Sequence, residues 1–128
     1  MKFLFDTHVL LWLADDRLPL ESPVRRIVTT EANQRYFSAA SIWEIAIKAS
    51  LGRPDFSVDA SLFRRGLLDN GYTELAVRGD HAVATRELPL IHKDPFDRLL
   101  VAQSRLEGMT LVSADVQVLR YGGSVLGA

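Results

Sequence analysis

The sequence contains no cysteine among its 128 residues. This excludes disulfides, zinc–thiolate sites and thiol catalysis. No apolar run approaches the roughly 18 residues that a membrane span needs. The chain begins directly with an apolar, strand-like segment and shows no signal peptide, so a cytoplasmic protein is expected.

An excess of positive charge is also missing, since the formal net charge is −1. Proteins that bind duplexes non-specifically are usually strongly basic, so a histone-like or repressor-like role is disfavoured. Contact with a nucleic acid would require a local basic rim or a bound cation. There is likewise no glycine-rich phosphate loop, no histidine pair at metal spacing and no nucleophile elbow.

The composition is that of an ordinary globular protein, with 48% hydrophobic and 24% charged residues. A chain of this length predicts a single domain, residues 1–128, with a real core. Apolar runs and turn signals predict strands at 3–5, 36–39, 72–77 and 110–112, a weaker one at 124–126, and helices at 6–16, 22–33, 40–51, 57–69, 79–88 and 94–108. This alternation predicts a three-layer α/β/α fold around a mainly parallel sheet of four to five strands.

Two aspartates terminate apolar, strand-like segments. Asp6 comes after Phe3-Leu4-Phe5, and Asp115 ends the run Leu111-Val112-Ser113-Ala114-Asp115. In a parallel sheet both carboxylates would lie at the carboxyl edge, where open α/β folds place their ligand crevice. The alternative for Asp6 is that it, or Thr7, merely caps the following helix.

Two further acids are predicted near the same edge. Asp94-Pro95 starts a helix with Asp94 as its cap, and Asp97 then falls at the third helical position, near free amides and the helix dipole. Glu44 lies on a helix whose apolar residues cover most of the circumference, which predicts a buried helix and a cleft-facing Glu44. An exposed Glu44–Lys48 pair at i,i+4 spacing is the alternative.

Four carboxylates in one crevice repel one another unless something compensates their charge. A hard divalent cation such as Mg²⁺ or Mn²⁺ is the natural compensation. Such an ion lowers the pKa of bound water and orients a phosphodiester. The pattern therefore favours metal-assisted chemistry on phosphate esters.

Four segments in order, covering nearly the whole chain, resemble the acidic motifs of PIN-domain proteins and more narrowly of VapC-type toxins. These are residues 4–8 (Leu-Phe-Asp-Thr-His), 41–48 (Ser-Ile-Trp-Glu-Ile-Ala-Ile-Lys), 94–103 (Asp-Pro-Phe-Asp-Arg-Leu-Leu-Val-Ala-Gln) and 111–115 (Leu-Val-Ser-Ala-Asp). The resemblance implies a Mg²⁺- or Mn²⁺-dependent endoribonuclease, inhibited by a VapB-type antitoxin. It also implies a homodimer that joins the antitoxin in a hetero-oligomer.

The resemblance assigns roles by position to Asp6, Glu44, Asp97 and Asp115, which match the acidic quartet. Asp6, Asp97 and Asp115 are the expected metal ligands. Glu44 is expected to orient or deprotonate the water that attacks phosphorus, leaving a 3′-hydroxyl and a 5′-phosphate. Asp94 competes for the third place, but Leu100 and Ala102 follow Asp97 at the family spacing. Whether Asp94 also contributes stays open.

Other polar residues receive weaker assignments. Ser113 is expected to position Asp115 or a water. Basic side chains near the motifs either meet RNA phosphates or form ordinary solvated surface: Lys48, Arg86, Lys93 and Arg98.

Other functions remain as alternatives. An aspartyl-nucleophile phosphatase needs an acid at position 8, which is His8 here. A phosphoryl-acceptor domain needs a central-strand aspartate and a late-strand lysine, and neither is found at the right place. A non-catalytic PIN-like protein that binds an antitoxin or RNA is the main competitor from another class.

Overall fold

A five-stranded parallel sheet forms the centre of the molecule. The computed structural model describes residues 1–128. The strands are β1 (Lys2–Phe5), β2 (Gln34–Ser38), β3 (Thr73–Leu75), β4 (Thr110–Ser113) and β5 (Val125–Gly127). Their spatial order is β3-β2-β1-β4-β5, and every neighbouring pair is parallel. The predicted fold class is confirmed, including the weakly supported last strand.

Seven helices connect the strands. They are α1 (Thr7–Ala14), α2 (Val24–Thr29), α3 (Ala39–Ser50), α4 (Ala60–Asp69), α5 (Gly79–Ala84), α6 (Pro95–Glu107) and α7 (Val116–Leu119), and a 3₁₀ turn at Thr85–Glu87 follows α5. None has the length and apolar character that crossing a membrane requires.

All six predicted helices are present, but several have different ends. Helix α2 stops at Thr29 instead of near Asn33. Helix α4 starts at Ala60, because the Asp59 carboxylate accepts the Leu62 amide and caps it. Helix α6 ends as predicted, with Gly108 at φ 66° supplying the left-handed cap that glycine adopts without strain. The short helix α7 was not predicted.

The core has two apolar layers, one on each face of the sheet. Side chains alternate along β1, so Phe3 and Phe5 enter one layer and Leu4 enters the other. Phe37 joins the first layer, and Leu111 joins the second. Because both faces are covered at the centre of the sheet, β1 and β4 contain continuous apolar runs rather than alternating ones.

Helix α3 differs from its prediction. It buries Ile45, but Trp43, Ile47 and Leu51 along another face are 63%, 38% and 59% exposed. The prediction that this helix is buried nearly all round is therefore wrong. Helix α3 packs against α1, α4 and α6, and the Trp43 ring meets Phe96 edgewise with the centroids 5.2 Å apart, but the apolar stripe of Trp43, Ile47 and Leu51 stays partly exposed.

The strand order determines which loops meet at the carboxyl edge. Strands β1 and β4 are neighbours, with Phe5 beside Val112, so the residues that follow them are adjacent. The Asp6 amide continues this pairing by donating to the Val112 carbonyl at 2.9 Å. Helix α3 leaves the end of β2, the other neighbour of β1, and packs against α6. Residues from four separate segments therefore converge there.

Candidate active site

A polar cavity of about 650 Å³ opens at this carboxyl edge. All four predicted acids line it: Asp6, Glu44, Asp97 and Asp115. Asp94 lines it as well. The structure therefore brings the predicted quartet together from four segments that are far apart in sequence.

Asp6 is almost fully buried and is held by three hydrogen bonds. Its Oδ1 accepts the Val9 amide at 2.9 Å, and its Oδ2 accepts the Ser113 hydroxyl at 2.6 Å and the Ala114 amide at 3.3 Å. Burial raises the pKa of Asp6, although these hydrogen bonds lower it in part. Asp6 therefore caps α1 and also faces the cavity, so both explanations of this residue hold.

Ser113 connects the two strand-end aspartates. Its hydroxyl donates to Asp6, and its Oγ accepts the Asp115 amide at 3.0 Å. The Asp115 carboxylate in turn accepts the Gln117 amide at 2.7 Å and caps α7. Its side chain is 39% exposed, so one face of Asp115 remains open to a ligand.

Asp94 caps α6 as predicted, accepting the amides of Phe96 at 2.8 Å and Asp97 at 3.1 Å. Asp94 also contributes to a compact group. Ligand-type atoms of His92, Asp94 and Asp97 all lie within 4.8 Å of one another. Asp94 and Asp97 are thus both close enough to serve one site.

The pKa of Asp97 is raised to about 6. Burial is the largest cause, and the negative charge of Asp94 follows. Contact with His92 opposes the rise, whereas Asp6 and Glu44 add to it. The carboxylates therefore act on one another electrostatically and form a site with excess negative charge.

Glu44 faces the cavity and also pairs with Lys48, although the pair is not the exposed one that the alternative describes. Its largely buried side chain lines the cavity, and its Oε2 lies 3.3 Å from the Lys48 ammonium. Lys48 also lines the cavity. The i,i+4 pair therefore lies at the rim of the site rather than on an unrelated solvated face.

The basic residues divide into different roles. Arg98 has an intramolecular role that the sequence did not indicate, because its guanidinium donates to the carbonyls of Thr85 at 2.9 Å and Pro89 at 3.0 Å. Arg86 is exposed and pairs with Glu87. Arg17, which the sequence did not single out, lines the cavity.

His92 is the main site residue that the sequence analysis missed. Its Nε2 lies 2.8 Å from Asp97 Oδ2 and 3.4 Å from Asp115 Oδ2. The only signal in the sequence is its place two residues before the cap of the acid-bearing helix. It lies in a loop without periodicity, so no pattern distinguished it.

The donor set fits a hard divalent cation. Carboxylates are the ligands that Mg²⁺ and Mn²⁺ commonly take in proteins. After burial, the negative charges of Asp94, Asp6 and Glu44 also raise the pKa of Asp97, and a bound cation would offset this repulsion. Asp6, Asp94, Asp97 and Asp115 are the residues present to hold such an ion.

The sequence matches the family model of the PIN domain over residues 3–123. The chain therefore belongs to the PIN-domain family, and the family resemblance of the four acidic motifs is confirmed. No curated protein matches the chain in sequence.

Among solved structures the chain resembles three toxin–antitoxin systems. It is 14% identical to VapBC2 from Rickettsia felis bound to a promoter DNA fragment, with a TM-score of 0.70, over 100% of this chain and 98% of that one. VapBC-1 from nontypeable Haemophilus influenzae is 14% identical with a TM-score of 0.68, over 100% and 97% of the chains. A toxin–antitoxin complex from Klebsiella pneumoniae is 17% identical with a TM-score of 0.66, over 96% and 94%. These likenesses establish the fold, and they agree with the narrower resemblance to VapC-type toxins.

Proposed function

We propose that this chain, with residues 1–128 as a single PIN domain, is a Mg²⁺- or Mn²⁺-dependent endoribonuclease that acts in the cytoplasm as the toxin of a VapBC-type pair. The observation that carries this proposal is the convergence of Asp6, Glu44, Asp97 and Asp115 in one cavity. The mutual effect of these acids on the pKa of Asp97 supports it. A binding module has no need for such a concentration of like charge.

Asp6, Asp97 and Asp115 would hold the cation. A bound Mg²⁺ or Mn²⁺ would acidify a water ligand and offset charge on the phosphate. The hydrogen bonds to Asp6 fix its carboxylate before any ligand arrives, which lowers the cost of organising the site. Asp115 is more open and suits a contact made through water.

Glu44 would accept the proton of the attacking water. The water oxygen forms a bond to phosphorus as the bond from phosphorus to the 3′ oxygen breaks. The leaving 3′ oxygen takes a proton from solvent, so the products carry a 3′-hydroxyl and a 5′-phosphate. Lys48 beside Glu44 places positive charge near the negatively charged phosphate.

The cavity walls suit single-stranded RNA. Trp12 and Phe56 line the cavity and offer aromatic faces on which bases stack, and Arg17 adds positive charge. Because the net charge is only −1, binding has to rely on this local rim and the cation rather than on a general basic surface.

The exposed apolar stripe on α3 is evidence for an interaction with protein partners. Trp43, Ile47 and Leu51 repeat at four-residue spacing and are exposed together. Apolar patches of this kind mark interaction surfaces in soluble proteins. The stripe supports a homodimer, and the likeness to VapBC complexes supports a further assembly with a VapB-type antitoxin.

A cleavage assay on total RNA tests the proposal. The wild-type protein should cut RNA with Mg²⁺ or Mn²⁺ and lose this activity under chelation. Asp6→Asn, Glu44→Gln and Asp97→Asn should each lower the rate by at least about a hundredfold, whereas Asp80→Asn, an acid remote from the cavity, should not. A wild-type protein that binds an antitoxin but never cuts RNA with either ion would support the non-catalytic alternative.

A further inference from the structure

His92 provides the candidate metal site with a nitrogen donor beside its carboxylates. We infer that His92 ligates the cation and makes the site prefer first-row transition-metal dications, such as Mn²⁺ and Co²⁺, over Mg²⁺. This inference rests on the proposed function, because it concerns the same cation.

The geometry around His92 resembles a ligand set. Its Nε2 lies 2.8 Å from Asp97 Oδ2 and 3.4 Å from Asp115 Oδ2. In an octahedral site with bonds of about 2.1 Å, adjacent ligand atoms lie about 3 Å apart. A carboxylate oxygen of Asp94 lies within 4.8 Å of the His92 and Asp97 ligand atoms. The ring nitrogen thus lies close to one carboxylate oxygen of Asp97 and one of Asp115, and Asp94 belongs to the same compact group as His92 and Asp97.

The backbone of His92 is fixed independently of its ring. The His92 amide donates to the Tyr121 hydroxyl at 3.1 Å, and the Arg98 guanidinium donates to the same hydroxyl at 3.1 Å. Tyr121 is itself buried in the core. The imidazole is 19% exposed, so it is held beside Asp97 and Asp115 while remaining accessible to an ion.

The chemistry of the donors gives the preference. Carboxylate oxygens serve Mg²⁺ and transition ions alike, whereas imidazole nitrogen favours transition ions. Affinity for a nitrogen-containing site rises from Mn²⁺ to Co²⁺. Replacing His92 should therefore weaken the binding of Co²⁺ most, that of Mn²⁺ less and that of Mg²⁺ least.

Calorimetric titration of Mg²⁺, Mn²⁺ and Co²⁺ into the metal-free full chain measures this order. His92→Gln should weaken Co²⁺ binding by about tenfold or more, since even loss of an outer-shell partner costs that much. It should weaken Mn²⁺ binding by a smaller factor and change Mg²⁺ binding by less than about threefold, because the glutamine oxygen still suits Mg²⁺. Since Tyr121 holds the backbone of residue 92, the variant should keep its fold, which a thermal melt checks.

Pulsed electron paramagnetic resonance of the Mn²⁺ complex adds a direct readout. The wild-type spectrum should show coupling to a nitrogen nucleus, and His92→Gln should remove that coupling. His8→Gln is the matched control, because His8 lines the cavity that holds Asp97 and Asp115 but packs its ring edgewise against Trp12, with the ring centroids 5.1 Å apart. That variant should keep the coupling.

Bound Mn²⁺ without nitrogen coupling in the wild type would overturn the inference, and this measurement needs no variant. Equal weakening of all three ions in His92→Gln would also overturn it, because His92 would then only position Asp97. With either result the proposed nuclease function would still stand, provided that Asp97→Asn abolishes metal binding. Failure of the wild type to bind any of the three ions would overturn both.

Discussion

Replacing Asp97 by asparagine should stabilise the metal-free protein at pH 7.5, although it should abolish activity. The pKa of Asp97 is raised to about 6 by burial and by the charges of Asp94, Asp6 and Glu44. The folded protein therefore carries this ionised carboxylate at a cost. Asparagine has nearly the same shape, offers an oxygen to His92, and carries no charge.

The size of the expected stabilisation follows from the shift in the pKa of Asp97. Moving from 3.8 to about 6 corresponds to an upper limit of about 3 kcal/mol, at 1.36 kcal/mol per unit. The side chain is 17% exposed, and water in the open cavity screens the charges. We therefore expect about 1–2 kcal/mol of stabilisation.

The difference in stability between the wild type and Asp97→Asn should depend on pH in a definite direction. Below the unfolded pKa of 3.8, Asp97 is protonated in both the folded and the unfolded state, so wild type and variant should be equally stable. As the pH rises from the unfolded pKa of 3.8 to the folded pKa of about 6, the unfolded state ionises before the folded state does, so the wild type progressively loses stability relative to the variant. The difference should be complete above about pH 7.

Urea unfolding with chelator at pH 4 and pH 7.5 measures these differences. Asp80→Asn is the control, because contact with Arg78 lowers the pKa of Asp80, so neutralising it should not stabilise the protein. A variant at position 97 that is no more stable than wild type at pH 7.5 would refute the reasoning. If Asp97→Asn were as much more stable than the wild type at pH 4 as at pH 7.5, the reasoning would also be refuted, because the effect would then not come from the ionisation of Asp97.

Three further substitutions test other parts of the structure. Ser113→Ala removes a buried donor to Asp6 and should cost about 1–3 kcal/mol in urea unfolding, with Ser113→Thr restoring most of it; equal stability of the alanine variant and wild type would contradict this role. Arg98→Lys should lower stability by about 1–3 kcal/mol, because lysine cannot reach the Thr85 and Pro89 carbonyls together. An unchanged unfolding midpoint would contradict a stabilising role for these two hydrogen bonds. Trp43→Ser should convert a dimer to a monomer in sedimentation experiments, whereas Leu20→Ser, at a turn residue 85% exposed, should not; an unchanged mass for the Trp43 variant would exclude the α3 stripe as the dimer contact.

The sequence predicts the sheet edge well because its signals there are local. An apolar run that ends in an acid within a few residues identifies both Asp6 and Asp115 as strand-end carboxylates, and the strand order then makes their strands neighbours. The Asp94-Pro95 start likewise fixes the phase of α6, and hence of Asp97. Each of these signals depends on neighbours within a few residues.

The sequence predicts less well where a property depends on distant parts of the chain. Periodicity shows that α3 is apolar on most sides, but not which sides the rest of the chain covers, so the exposure of Trp43 was not foreseen. Arg98 carries a long side chain at a helix start, and only the folded loop brings the Thr85 carbonyl within its reach. His92 becomes a site residue solely through its distances to Asp97 and Asp115.

The chemistry of the RNA ends is the most direct test of the central claim. The experiment incubates RNA with the wild-type protein and Mn²⁺. The products are then sequenced after an adapter ligation that distinguishes 5′-phosphate from 5′-hydroxyl ends. Attack by water predicts 5′-phosphate and 3′-hydroxyl ends from the wild type and no cleavage by a folded Asp6→Asn protein. Products with 5′-hydroxyl and cyclic phosphate ends, or full cleavage by Asp6→Asn, would contradict a metal-dependent nuclease built on the acidic quartet.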